Sequence, residues 1–225
     1  MHGGHDCKAV WGEVIAHDAY GFRRWKDGEL PTIIDIGANV GIFSLFAHFR
    51  HPEAKILCIE PCKNTFQNLR MNVGFIHNII TDNIALGKNS PLFFFDTGYS
   101  GCNLFYEDNK QNNYSIDGLP LHSLLKKHNI TPDNSFIKID CEGGERYLLA
   151  DEEETKSLTK AKAIALEIHF PPTNANAREW PRFKDFPPWD KYDKWIKEHF
   201  QNFNSKYKGN KKRGYGTFLL TRKDS

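Results

Sequence analysis

The stretch Thr32-Ile33-Ile34-Asp35-Ile36-Gly37-Ala38-Asn39-Val40-Gly41-Ile42-Phe43-Ser44 constrains this chain more than any other. A short apolar run ends in an acid, passes through a turn bearing two glycines, and opens into an apolar helix. That is the first strand–turn–helix unit of a doubly wound α/β domain. Gly37 and Gly41 let the backbone bend tightly and come close to a ligand. Ala38, Asn39, Phe43 and Ser44 surround them, and with Asp35 they form the first part of a candidate cofactor site. A dinucleotide would bring its pyrophosphate against this turn and the positive helix end behind it. A carboxylate at the mouth of the turn repels phosphate and suits the amino group of S-adenosylmethionine. Asn39 also stands where a G-x-G-x-x-G turn needs its second glycine.

With 225 residues, one well-buried core is possible and a second domain is not needed. The 30 basic and 28 acidic residues nearly cancel, so nothing in the balance points to nucleic acid or an anionic membrane. The local basic run Lys206-Tyr207-Lys208-Gly209-Asn210-Lys211-Lys212-Arg213 falls where a hairpin turn is expected and reads as solvated. Cysteines at 7, 58, 62, 102 and 141 form no C-x-x-C pair and have no metal-like spacing to histidines. Cys58 and Cys141 sit inside expected strands, which points to a reducing, cytoplasmic compartment. No apolar run approaches the ~20 residues of a membrane span. Met1-His2-Gly3-Gly4-His5-Asp6 lacks signal-peptide character, and membership of a larger glycan-building protein stays open.

After the first turn a helix is expected over 42–50, a strand over 55–61 and a helix over about 63–74. Residues 78–87 read as a third strand running into a turn, and 91–117 as extra β structure with Leu92–Phe95 and Asn103–Tyr106 as its runs. A helix over 119–128 precedes a fourth strand over 135–140, a helix from Glu145 and a fifth strand over 163–170. The segment 171–190 interrupts the pattern, then come an amphipathic helix and strands 203–207 and 216–222. The division is an N-terminal cap (1–30), a cofactor-binding core (31–170), a substrate-side insertion (171–190) and a C-terminal helix and hairpin (191–225). Five strands alternating with helices, then an antiparallel pair, describe a Rossmann-like, doubly wound seven-stranded sheet, the count of a class I methyltransferase. An NAD domain would lack the last hairpin.

Open parallel sheets bind ligands beyond the carboxyl ends of their strands. Glu60, followed by Pro61, closes the second strand, where an acid can accept from both ribose hydroxyls. Asp82 and Asn83 end the third strand and suit the adenine amino group. Asp140 ends the fourth. Glu167 and His169, two apart in the fifth, share a face, so Asp140, Glu142, Glu167 and His169 converge on one rim beside the methyl donor. Such a cluster repels itself unless it has a purpose. Asp140, Glu167 and His169 could hold Mg²⁺ or Mn²⁺, or His169 could be a general base oriented by an acid. Glu142 and Glu145 also suit the start of a helix.

The blocks Asp35-Ile-Gly-Ala-Asn-Val-Gly-Ile-Phe-Ser, Glu60-Pro, Asn83-Ile-Ala-Leu-Gly, Ser115-Ile-Asp-Gly-Leu, Lys138-Ile-Asp-Cys-Glu-Gly-Gly-Glu and Leu166-Glu-Ile-His resemble the successive motifs of the FkbM-type methyltransferases. The resemblance covers about residues 30–170, and its Lys-Ile-Asp-x-Glu-Gly-x-Glu block is its most specific part. It implies O-methylation of hydroxyls on sugars, glycans or polyketides. It also implies cofactor roles for Asp35, Gly37, Ala38, Asn39, Glu60 and Asn83, and catalytic-side roles for Asp140, Glu142 and Glu167. Cys141 and Gly144 depart from its usual valine and alanine, and nothing after His169 matches it.

The expectation is therefore S-adenosylmethionine-dependent transfer to a sugar or glycan hydroxyl. Trp180, Phe183, Phe186 and Trp189 would either face a sugar ring or pack a lid. The alternatives are a nicotinamide-dependent oxidoreductase and a cofactor-binding module without catalysis.

Overall fold

The computed structural model describes residues 11–95, 104–106, 113–172 and 186–223. Cys7, Cys102, Asn103, Trp180 and Phe183 lie outside them. The parallel strands are β1 (Thr32–Ile36), β2 (Lys55–Ile59), β3 (Ile79–Asp82), β8 (Phe136–Ile139) and β9 (Ala163–His169). Between them run α1 (Ile42–Arg50), α2 (Lys63–Val73), α3 (Leu121–Lys127) and α4 (Glu152–Thr159), and α5 (Trp189–His199) precedes β10 (Phe203–Asn210) and β11 (Tyr215–Arg222). Their order in the sheet is β10-β11-β9-β8-β1-β2-β3, and β11 alone runs antiparallel to its neighbours. The sequence-based expectation of a seven-stranded doubly wound sheet is met. The extra β structure is a second sheet of β4 (Ala85–Leu86), β5 (Ser90–Phe95), β6 (Leu104–Tyr106) and β7 (Asn113–Leu119), ordered β4-β7-β5-β6.

Strands buried on both faces explain the unbroken apolar runs. Ile34, Ile36, Leu57, Ile59, Ile137, Ile139, Leu166 and Ile168 face one core, shared with α3, α4 and α5. Alternate residues, Ile33, Ile56, Cys58, Phe136 and Ala165, face a second core shared with α1, α2 and the N-terminal residues Tyr20, Phe22 and Trp25. Phe22 is its centre, with edge contacts to Phe43, Phe46, His51 and Phe136. Among the described residues no helix is long and apolar enough to cross a membrane.

Two details differ from expectation. Glu145 does not start an α-helix: Gly144–Ala150 is a 3-10 turn, and α4 begins only after Asp151 caps it by accepting from the Glu153 N–H at 2.9 Å. The basic run is not all turn, because Lys206, Tyr207 and Lys208 belong to the edge strand β10 and only 211–214 turns.

Both glycines of the first turn are required by the chain's own packing. Gly37 has φ +77°, and a Cβ there would lie 1.8 Å from the Asp140 carbonyl oxygen. Gly41, at φ +89°, would press a Cβ onto Leu69 and Val73 of α2 at 2.9 and 3.0 Å. The close approaches are between parts of the chain: the ends of β1 and β8 interlock, and α1 packs on α2.

A buried ion pair reinforces that interlock. Asp35 is fully buried, and Lys138 Nζ sits 3.1 Å from its Oδ1 while donating to the Gly37 carbonyl at 2.7 Å. Ser44 Oγ donates to the other oxygen of Asp35 at 2.5 Å and lies 3.1 Å from Cys58 Sγ. Burial alone would lower the Lys138 pKa, but Asp35 and Asp140 outweigh it and raise it. Removing one member leaves a buried charge alone. Lys138→Met is expected to lose about 3–5 kcal/mol of unfolding free energy. The Asp35→Asn/Lys138→Met double variant should lose less than Lys138→Met alone. Denaturant unfolding of the three proteins checks both.

Candidate active site

The ends of β1, β2, β8 and β9 open on one side, and the polar side chains there fall into two groups. The first lies around the turn after β1. Gly37 and Ala38 N–H groups both donate to the Ile59 carbonyl at 2.9 Å, which binds the turn to β2. Asn39, at φ +51°, donates its N–H to Glu60 Oε2 at 2.9 Å, and Cys62 donates to Glu60 Oε1 at 2.9 Å. Burial pushes the Glu60 carboxyl up to about 7, against the lowering effect of those two amides. Asn83 donates both its amide hydrogens to the Glu60 and Pro61 carbonyls, at 2.8 and 2.9 Å, leaving its side-chain oxygen as acceptor.

The second group lies where β8 and β9 end. Donor atoms of Asp140, Glu142 and His169 lie within 4.8 Å of one another. Glu142 is carried there by two consecutive left-handed residues, Glu142 at φ +50° and Gly143 at φ +103°. The His169 ring is held from behind: Glu145, with no exposure, accepts from the His169 N–H at 2.7 Å and lies 3.0 Å from Nδ1. It also accepts from the Gly143 N–H at 2.8 Å. Nε2 therefore faces the rim, 3.4 Å from Glu142 Oε2 and 3.9 Å from Glu167 Oε1. Burial would lower the His169 pKa, but Glu145 and Glu142, then Glu167, hold it well above the ordinary value. Glu167 is itself raised well above the carboxylate range by burial and by Asp140.

Other expected residues lie apart from these two groups or at their margin. Asp35 and Ser44 face each other in the interior and do not reach the open side. Phe43 belongs to the aromatic core, stacked edge-on with Tyr20 and Phe22. Asp82 pairs with Lys127 Nζ at 2.6 Å and His128 Nε2 at 2.8 Å, so it anchors α3. The triad that converges contains Glu142 in place of Glu167, which lies one rung deeper on β9 and accepts from Thr217 at 3.4 Å. Phe186 and Trp189 pack: Phe186 covers Gly143, and Trp189 meets the Tyr207 ring edge-on at 5.7 Å.

Three further residues contribute. Glu145, which suits a helix start, carries its signal in the Glu-Gly-Gly-Glu spacing. Tyr20 donates to Asp140 Oδ2 at 2.6 Å with its ring 5.3 Å from Lys138 Nζ. Glu13 lies close enough to Asp140 for their charges to interact, and burial with that charge raises its pKa. The segment 11–31 has no apolar periodicity, so nothing in it announced either residue.

A family described as the methyltransferase FkbM domain matches residues 35–205. Methyltransferase 1 of Beauveria bassiana is 26% identical over 161 residues, 61% of this chain and 64% of that protein. The 31-O-demethyl-FK506 methyltransferase FkbM of Streptomyces tacrolimicus is 45% identical over 41 residues, 18% of this chain and 16% of its own length. The chain thus spans less than two thirds of either relative. In fold it is similar to a putative rRNA-methylase from Clostridium thermocellum, with TM-score 0.51 at 9% identity, covering 92% of this chain and 94% of that one. It is equally similar to the N-terminal domain of EvdMO1 with SAH bound, with TM-score 0.51 at 13% identity over 92% of this chain and 80% of that one.

The Glu145–His169 pair has a measurable consequence. Because the folded pKa is raised, its stabilisation is full below the unfolded value near 6.5 and is lost as pH rises through the folded value. An NMR titration should find the His169 ring protonated well above pH ~6.5 in the metal-free protein. Glu145→Gln should bring that pKa down by about one unit or more, equivalent to about 1.4 kcal/mol. Titration near 6.5 in the unaltered protein would contradict the arrangement.

Proposed function

The chain belongs to the FkbM methyltransferase family, and on that footing we propose that it transfers the sulfonium methyl of S-adenosylmethionine to a hydroxyl of a sugar, glycan or related natural product. The observation that carries this is the meeting of Asp140, Glu142 and His169 on the same open side as the Glu60-bound turn.

Glu60 keeps a free lone pair on each oxygen after its two amide bonds and takes the ribose hydroxyls. Asn83 offers its carbonyl oxygen to the adenine amino group, and Pro61 and Asn39 shape that wall. Asp35 acts indirectly, by holding the Lys138 ammonium that holds the Gly37 carbonyl. Gly37, Ala38 and Gly41 set the path of the turn. The acceptor hydroxyl lies against Asp140, Glu142, Glu167 and His169. Its oxygen attacks the methyl carbon in line, the carbon–sulfur bond breaks, and S-adenosylhomocysteine leaves. Alignment of the hydroxyl supplies most of the acceleration.

The donor set fits a hard divalent cation. Two carboxylates and one imidazole nitrogen converge, and Glu145 behind Nδ1 supplies the outer hydrogen bond that ligating histidines need. Asp140, Glu142 and His169 would hold Mg²⁺ or Mn²⁺, which would acidify the acceptor hydroxyl. Without an ion the same Glu145–His169 contact favours a second reading. His169, neutral only above its raised pKa, then takes the hydroxyl proton on Nε2, and Glu145 stabilises the imidazolium that forms. The domain division and a cytoplasmic setting belong to the same reading.

Two measurements test it. Ribose hydroxyls need the ionised form of Glu60, whose pKa is about 7. S-adenosylhomocysteine affinity should therefore rise between pH 6 and 8 on calorimetry, and Glu60→Gln should flatten the rise and weaken binding by about 1.5–3 kcal/mol. A flat profile in the unaltered protein removes Glu60 from the cofactor site. For the metal, a chelator should abolish transfer and added Mg²⁺ or Mn²⁺ should restore it. If transfer survives thorough chelation, His169 is the base, and its replacement by Ala should remove the pH dependence of the rate.

A further inference from the structure

The outer hairpin runs straight into this site. Cross-strand partners on antiparallel strands share a face, and the register places Glu167 of β9, Thr217 of β11 and Lys208 of β10 in one row. The next row is His169, Tyr215 and Asn210. The face that carries the acids and the imidazole therefore continues outward as Tyr215, 38% exposed, and then as the exposed Lys208. With strands about 4.8 Å apart, Lys208 stands about 10 Å from Glu167 at the backbone.

The tip of the hairpin is held at this edge. Gly214 accepts from the Phe170 N–H at 2.9 Å, and at φ +81° a Cβ on it would meet the Phe170 carbonyl at 2.4 Å. The Arg213 and Gly214 N–H groups donate to the Asn210 carbonyl at 2.8 and 3.1 Å, and Lys212 N–H to Asn210 Oδ1 at 3.1 Å. The Lys211 ammonium lies 3.2 Å from the centre of the Trp189 ring. Residues 203–222 contain no acid, and among the described residues Lys206, Lys208, Lys212 and Arg213 form no ion pair. Lysines on an edge strand discourage sheet-to-sheet pairing, which accounts for Lys206 and Lys208. It does not account for two more cations on a hydrogen-bonded tip tied to Phe170, the residue after His169.

Accepting the methyl-transfer reading above, we infer that β10 and β11 form an acceptor subsite for an anionic sugar. Tyr215 offers its ring to the sugar face, and Lys208, with Lys212 and Arg213 on the adjoining tip, takes a carboxylate or phosphate at the outer end of the face, about 10 Å from Glu167 at the backbone. The neighbouring acids repel an anion placed any closer, so the charge pattern orients the acceptor as well as binding it.

The test uses the full chain saturated with S-adenosylhomocysteine and titrated by calorimetry with glucose, glucuronate and glucose 6-phosphate. The two anionic sugars separate a carboxylate from a phosphate preference. At least one should bind tenfold or more tightly than glucose at low salt, and the preference should shrink as salt is raised. Lys208→Gln/Arg213→Gln should abolish the preference with the melting temperature and S-adenosylhomocysteine affinity unchanged. Tyr215→Ala should weaken all three sugars alike. Equal binding of the three, no binding of any, or a preference that survives the double substitution would overturn the subsite. Failure of S-adenosylhomocysteine itself to bind would instead overturn the methyl-transfer reading.

Discussion

Everything on the open side of the sheet depends on one buried contact between β1 and β8. Lys138 reaches across to Asp35 and also grips the Gly37 carbonyl, so one ammonium holds both the strand and the turn that follows it. Gly37 makes the grip possible, because any side chain there would collide with Asp140. The two halves of the site, the Glu60 wall and the Asp140 rim, keep their spacing because of this junction. Two buried charges would be expensive apart and are tolerable only as a close ion pair.

The rim is unusual for its surplus of negative charge. Asp140, Glu142, Glu145 and Glu167 surround a single imidazole, Glu13 acts on Asp140, and the Lys138 ammonium is already engaged with Asp35. Such an array raises the proton affinity of its own members, as Glu167 and His169 show. Under the proposed function that charge would favour the sulfonium or a divalent ion. Tyr20 tempers it by donating to Asp140, which makes the N-terminal segment part of the site and not only a cover for the core.

The strands and most helices were legible because each is a run of β-branched and apolar residues or an apolar stripe at helical spacing. The candidate site is legible at strand ends, where Glu60, Asp140 and His169 stand. Which polar residues near the glycine turn point inward is not legible there. Ser44 and Phe43 sit on the inner face of α1, and Asp35 finds its partner about a hundred positions away in Lys138, a pairing no local pattern contains. Glu145 looked like a dipole-matching acid because its neighbours suggested an α-helix. The 3-10 turn instead swings it under His169. Tyr20 and Glu13 lie in irregular chain, where periodicity has nothing to read.

The sheet order also sets a timetable. β1 and β8 are adjacent in space, yet α1, β2, α2, β3, the second sheet and α3 lie between the two in the chain. During synthesis β1, β2 and β3 emerge first, and Asp35 then has Ser44 for company but no counter-charge. Only when Lys138 leaves the ribosome can the two strands close over the acid. Contacts this distant in sequence are slow to form and leave apolar edges open meanwhile. The nascent N-terminal half thus carries an open apolar edge on β1, and the arrival of β8 covers it.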